Sequence, residues 1–236
     1  MAKKRSKRYQ KAAALIEAGK SYSLDEAVTT VKQFPEPKFT PSVTLSFHLG
    51  VDPRKSDQMV RGSVSLPHGT GKNVRVVVFA QGTAAEAAIA AGAEHVGFED
   101  LIQKIRDGFT DFDSAIATPD AMTEVRKIAR VLGPRGLMPN PKTGTVTDDT
   151  AKAVKEVKAG RVDYKLDKNG NISAAIGKTS FDPTQLTENA RAFIDSVVRA
   201  KPSTAKGNYI RSATLAATML PGLPLEAATY AKTVSA

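Results

Sequence analysis

The hydrophobic pattern changes its grammar at Gly69 and again at Gly160, and this change most restricts what the chain can fold into. Between those glycines, strand and helix signals alternate. Val74 to Ala80 is apolar at every position but Arg75, as in a strand buried on both faces. Thr83 to Ala91 reads as an alanine-rich helix closed by Gly92, and Glu99 to Asp107 as a helix closed by Gly108. Ser114 to Ala117 is a short strand, and Thr118-Pro119 supplies a cap and a first-turn proline for a helix ending at Gly133. A βαβα succession predicts a small parallel, Rossmann-like sheet with helices on both faces.

The flanking pieces follow another rule. Tyr9 to Ala18 reads as a helix stopped by Gly19, and Ser23 with Glu26 forms a capping box for a helix running to about Gln33, where Pro35 and Pro37 end it. Val43, Leu45, Phe47 and Leu49 alternate with small or polar residues, the period of a strand with one buried face. A second strand is expected near Met59 to Leu66. Arg161 to Leu166 and Ile172 to Ile176 flank Asn169-Gly170, which predicts a hairpin. Asp182-Pro183 opens a helix to about Ala200, and Asn208 to Met219 reads as a last strand. Neither piece has enough elements to fold alone. Together they predict one discontinuous α+β domain with an antiparallel sheet, residues 1–68 and 160–236, holding residues 69–159 as an inserted α/β domain. The two crossings, at Pro67, His68 and Gly69 and at Ala159 and Gly160, are short and contain glycine, as a hinge requires.

Charge divides along the same lines. The 236 residues carry 34 basic and 24 acidic side chains, a formal net charge of +10. Residues 1–68 hold 12 basic and 6 acidic, residues 161–236 hold 10 and 6, and residues 69–160 hold 12 of each. The whole excess therefore belongs to the outer domain, and an excess of this size attracts polyanions, nucleic acid first among them. Lys3, Lys4, Arg5, Lys7, Arg8 and Lys11 form an acid-free cationic arm.

Several chemistries lack their residues. No Cys is present, which removes thiolate nucleophiles, disulfides and zinc-thiolate sites and disfavours an oxidising compartment. No apolar run reaches the roughly 18 residues of a membrane span, and neither a span nor a signal peptide is expected. A nucleotide-binding insert needs glycines between its first strand and helix, but Gly69 and Gly71 precede the strand and only Gly82 follows it. His48, His68 and His95 lie in different segments without metal spacing. No nucleophile, base and orienting group stand together. The expectation is a protein that is not an enzyme and uses no cofactor or metal.

Two long stretches carry a resemblance. Gly50 to Lys72 (GVDPRKSDQMVRGSVSLPHGTGK) and Leu132 to Lys142 (LGPRGLMPNPK) closely resemble the L-one family of large-subunit ribosomal proteins. The likeness continues through Lys158 to Arg161, Gly177 to Phe181, Arg191 to Ile194 and Thr218-Met219, almost the whole chain. It implies an RNA-binding domain made from both termini, an inserted domain on a hinge, and residence in the cytoplasm on the ribosome. It further implies binding to 23S ribosomal RNA within the mobile stalk, action on deacylated transfer RNA at the exit site, and repression of translation from the protein's own operon messenger RNA. Carried over residue by residue, the RNA-facing set is Lys38, Phe39, Ser42, Lys178, Ser180, Ser212, Thr218 and Met219. Lysines of this kind neutralise phosphate, hydroxyls bond sugar or base, and Phe39 and Met219 pack on nucleoside faces.

The chain departs from the family pattern at Pro41, Ser42, Thr44 and Leu220. Leu220 replaces a glycine that would let backbone and RNA approach closely. Beyond Leu225 no motif is legible. Two other readings remain: a free RNA chaperone that binds by charge alone, and a nucleotide-dependent enzyme using the inserted sheet.

Overall fold

A computed structural model describes residues 5–205, 207–227 and 230. The first elements in chain order are α1 (Lys7–Ala13), α2 (Leu24–Gln33), β1 (Ser42–Leu49) and β2 (Arg61–Ser65). There follow β3 (Val76–Phe79), α3 (Thr83–Ala90), β4 (His95–Gly97), α4 (Glu99–Arg106), β5 (Ser114–Ala117), α5 (Met122–Val125), α6 (Ala129–Leu132) and α7 (Thr150–Lys158). The chain continues with β6 (Arg161–Lys165), β7 (Asn171–Lys178), α8 (Pro183–Arg199), β8 (Ile210–Ala217) and β9 (Leu223–Leu225). It forms two compact units. One takes the residues up to Gly71 and from Val162 onward, the other Lys72–Arg161.

The first unit is built on a four-stranded sheet in the order β7-β1-β8-β9, with antiparallel pairing throughout. Strict alternation along β1 sends Val43, Leu45, Phe47 and Leu49 into the core. α8 buries Leu186, Ala190, Phe193, Ile194 and Val197, one stripe at helical spacing, in the same core. The Phe193 ring lies 5.6 Å from Phe47 and 5.5 Å from Tyr164, centroid to centroid. The capping box read from sequence forms at Ser23 with Glu26 on α2, and the helix expected from Asp182-Pro183 starts there, with a second box between Asp182 and Gln185 on α8.

The second unit has a three-stranded parallel sheet, β4-β3-β5. Val77 and Phe79 of β3 enter a cluster with Leu101, Ile105, Val125 and Leu132 from α4, α5 and α6. Val76 and Val78 enter another with Ala88, Val154 and Val157 from α3 and α7. Helices thus cover both faces, which explains why β3 reads as unbroken apolar sequence. Gly69 and Gly71 precede β3, and Gly82 alone begins α3.

The structure corrects several expectations. α1 spans Lys7–Ala13 instead of Tyr9 to Ala18, because Ser6 caps it and the chain turns after Ala13. The Asn169-Gly170 turn forms, closed by Asp167 N–H to the Asn171 carbonyl at 2.9 Å, but its flanking strands do not make a hairpin ladder. β6 pairs with β2, and β7 pairs with β1. The helix expected up to Gly133 is broken into α5, a 3-10 turn and α6. β4, α7 and β9 carried signals too short or too polar to stand out. Among the described residues no helix is long and apolar enough to cross a membrane.

Candidate nucleic-acid interface

Three strands of the first unit end together. Ser42 at the start of β1 is paired with Lys178 at the end of β7. On the other side the Thr218 N–H donates to the Ser42 carbonyl at 3.0 Å, and the Ser42 N–H donates to the Thr218 hydroxyl oxygen at 3.3 Å. The Thr179 N–H donates to the Pro41 carbonyl at 3.0 Å, which locks the chain beyond Lys178 against the chain before Ser42. Lys38, Phe39, Ser180 and Met219 lie within three residues of this corner and are all exposed. Phe39 is 47% exposed and Met219 66%, large values for apolar side chains. Seven of the eight residues named from sequence therefore gather at one end of one sheet.

Met219 is the only described non-glycine residue with positive φ, at 62°. A side chain in that region is strained, and such strain collects at working sites. Leu220 takes no such conformation; it packs against the core, and its N–H donates to the Ala217 carbonyl at 3.0 Å. The turn is therefore closed by an apolar anchor where the family pattern has glycine.

Ser212 lies elsewhere. It pairs with His48 at the opposite end of β1, six residues from Ser42, a distance of about 20 Å at 3.4 Å per residue. A bulge at Arg211 leaves both Arg211 and Ser212 exposed. The sheet surface between the two ends is polar around Ser46 and His48, while Thr44 stands between Ala175 and Ala216. Thr44, Ser46 and His48 of β1 alternate with the buried residues, and Ser173 and Thr214 stand opposite Ser46 on the neighbouring strands. The Ser46 and Ser173 hydroxyls are 2.9 Å apart, and His48 Nδ1 lies 2.9 Å from Asn171 Oδ1. The residues of β1, β7 and β8 include no acid, and their only formal charges are Lys178 and Arg211. The alternation that marks β1 in the sequence thus also gives the strand a second, outward face with no motif of its own.

Of the cationic arm, Lys3 and Lys4 lie outside the described residues. Arg5 stacks over Tyr9 at 4.6 Å, and Lys7 and Lys11 are exposed on α1. The crossing residues of the first unit are well held. The His68 N–H donates to Asn189 Oδ1 at 3.1 Å, Asn189 Nδ2 donates to the Gly69 carbonyl at 2.9 Å, and His68 Nε2 meets Glu188 at 2.5 Å. Pro67 precedes them, exposed. In the second unit Ala159 caps α7 and Gly160 follows at φ 105°. Among the described residues no cluster of His, Asp and Glu could hold a metal ion.

A family model described as the Ribosomal protein L1p/L10e family matches residues 31–221. Similar proteins include the large ribosomal subunit protein uL1 of Pseudarthrobacter chlorophenolicus, 57% identical over 94% of this chain and 95% of that protein. The protein of the same name from Bifidobacterium adolescentis is 55% identical over 96% and 99%. That from Corynebacterium glutamicum is 56% identical over 94% of each.

Proposed function

Because the chain belongs to the Ribosomal protein L1p/L10e family, whose members are structural and not enzymes, we propose that it is a constituent of the large ribosomal subunit in the cytoplasm and binds 23S ribosomal RNA through the strand-end corner of its first unit. The observation that carries this reading is the meeting of Ser42, Lys178 and Thr218 on adjacent strand ends, with exposed Phe39 and Met219 beside them. Lys178 supplies charge, the hydroxyls supply donors and acceptors, and the two apolar side chains supply stacking surface. Regular RNA helices hide their base edges, so such a corner suits a loop or bulge.

The test is binding of the purified protein to the large-subunit RNA fragment that it protects from nuclease. Changing Lys178 or Phe39 to Ala should each weaken binding by about 1 to 3 kcal/mol. The lysine change should also lower the salt slope by about one, and the phenylalanine change should not. Unchanged affinity in both variants, with the fold intact by circular dichroism, overturns the assignment. A charge-only chaperone would show no preference for this fragment over bulk RNA at moderate salt, and saturable nucleotide binding would support the enzyme reading instead.

The finer roles follow from the resemblance. In this proposal the protein belongs to the mobile stalk, assists release of deacylated transfer RNA from the exit site, and represses its own operon when the messenger RNA occupies the same corner. Lys178→Ala should then weaken ribosomal and messenger RNA in parallel, and each RNA should displace the other. The crossings at Pro67 to Gly69 and at Ala159-Gly160 serve as the hinge; labels on the two units that reported one fixed transfer efficiency with and without RNA would refute it.

A further inference from the structure

The first crossing does not run free past the corner. Asn189 binds it at His68 and Gly69, and a little further on Gly71 passes against the turn from Lys178 to Phe181. We infer that Gly71 is a positioning residue for Lys178: the bare backbone of the crossing and the Phe181 ring together hold the lysine stem, and so aim the ammonium that meets RNA phosphate. This rests on the RNA-binding reading above and extends it to a residue outside the corner that acts through one inside it.

The fit is close. A Cβ at Gly71 would lie 2.8 Å from Phe181 Cε1, 3.0 Å from Phe181 Cζ and 3.4 Å from Lys178 Cδ. Carbon atoms pack at about 3.5 to 4.0 Å, so the two approaches to the ring leave no room for a side chain. The opposite edge of the ring faces Gly177, where a Cβ would lie 3.0 Å from Phe181 Cδ2 and 2.9 Å from Leu186 Cδ2. The ring is thus fitted between two glycines, one on the crossing and one on β7. Its own backbone is tied down as well. The Phe181 N–H donates to the Lys178 carbonyl at 3.0 Å, and the Phe181 carbonyl accepts from Lys32 Nζ at 2.7 Å. Gly71 has φ 69°, a conformation that glycine adopts without penalty.

The consequence falls on the lysine. Its ammonium is a point charge on a flexible four-carbon stem, and ordering such a stem costs entropy. A stem that already lies along a fixed surface loses less when it binds. Lys178 is half-buried, and Cδ, close to the charged end of the stem, is the atom that faces Gly71. A methyl group at residue 71 therefore pushes the ring, the stem or both, and moves the ammonium off the corner while the sheet beneath stays paired.

The experiment measures binding of the full chain to the nuclease-protected large-subunit RNA fragment for Gly71→Ala, Gly71→Asn, Lys178→Ala and the double variant Gly71→Ala, Lys178→Ala, each checked for its fold by circular dichroism. Gly71→Ala should bind about tenfold more weakly, with a salt slope lowered by about one, as for Lys178→Ala. In the Lys178→Ala background the same change should cost less than about twofold, because residues that act through one group are not additive. Asparagine tolerates positive φ better than alanine, so Gly71→Asn should lose as much affinity as Gly71→Ala. A loss confined to alanine assigns the effect to backbone strain and overturns the proposal. Equal losses from Gly71→Ala with and without Lys178 also overturn it, since the crossing would then act by another route. Full affinity of Gly71→Ala, with Lys178→Ala still impaired, overturns the positioning and leaves the corner standing. Normal affinity of Lys178→Ala removes the corner and the proposal with it. Phe181→Leu, which withdraws the ring edge without straining the crossing, should repeat both the loss and its non-additivity, and full affinity there overturns the proposal too.

Discussion

Asn189 on α8 donates from Nδ2 to the carbonyl of Ile176 at 2.7 Å, at the residue where β7 carries one position more than β1. A bulge leaves ladder groups unpaired and re-aims the side chains beyond it. Here the fully buried amide of Asn189 supplies a partner, and the strand resumes in register with Lys178 opposite Ser42. The same amide reaches the Gly69 carbonyl and accepts from the His68 N–H. One side chain thus fixes both the approach to the strand-end corner and the start of the first crossing.

Asn189→Leu should therefore lower stability by about 2 to 4 kcal/mol, since the buried Ile176 carbonyl and the part-buried Gly69 carbonyl and His68 N–H all lose their partner. Urea midpoints measure this. A loss under about 0.5 kcal/mol would show that the bulge holds without the amide.

Met219 offers the opposite sign. Glycine adopts φ near 62° without the penalty that a side chain incurs there. Met219→Gly should leave stability unchanged or raise it by up to about 1 kcal/mol, while RNA affinity falls because the exposed thioether is gone. Met219→Val should lower stability by about 1 to 2 kcal/mol, β-branching being poorly tolerated in that region. Thermal and urea unfolding of the two variants should diverge; equal behaviour would deny the strain.

Asp113 in the second unit gives a pH signature. The hydrogen bond from Lys72 at 2.6 Å, with help from Arg75, holds its carboxyl below the usual carboxylate range. A folded-state value below the unfolded one stabilises at pH above the unfolded value of about 3.9 and is lost as pH falls through the folded one. Asp113→Asn should flatten the acid limb of the stability curve of this unit and leave its slope near neutrality unchanged. An acid limb identical to the parent's would assign the effect to other carboxylates.

Replacing residues 72–160 by a short Gly-Ser linker should leave a folded protein that still binds the large-subunit RNA fragment. The four-stranded sheet, α2 and α8 all lie outside the deleted piece, and closing a loop between its ends costs little entropy. A truncated protein that folds but binds more than about thirtyfold more weakly, roughly 2 kcal/mol, would mean that the second unit touches the RNA. Failure to fold would refute the nested arrangement.

Local signals were legible in the sequence wherever a few neighbouring residues decide the outcome. The Ser23–Glu26 box, the Asp182-Pro183 helix start and the alternation of Val43 to Leu49 each depend on contacts within four residues, and each appears as read. The unbroken apolar run of β3 likewise announced a strand covered on both faces. Strand partners were not legible. Asn169-Gly170 makes its turn, yet β6 leaves for β2 and β7 for β1, because pairing is settled by which apolar faces the α8 stripe buries and not by the turn between them. The eight residues carried over from the family say nothing about their mutual distances. Only the register of β1 against β7 and β8 brings Ser42, Lys178 and Thr218 together and sends Ser212 about 20 Å away. The period of a strand fixes which residues share a face, while the residue they stand opposite depends on bulges at Ile176 and Arg211 and on the buried amide of Asn189, contacts between segments far apart in the chain.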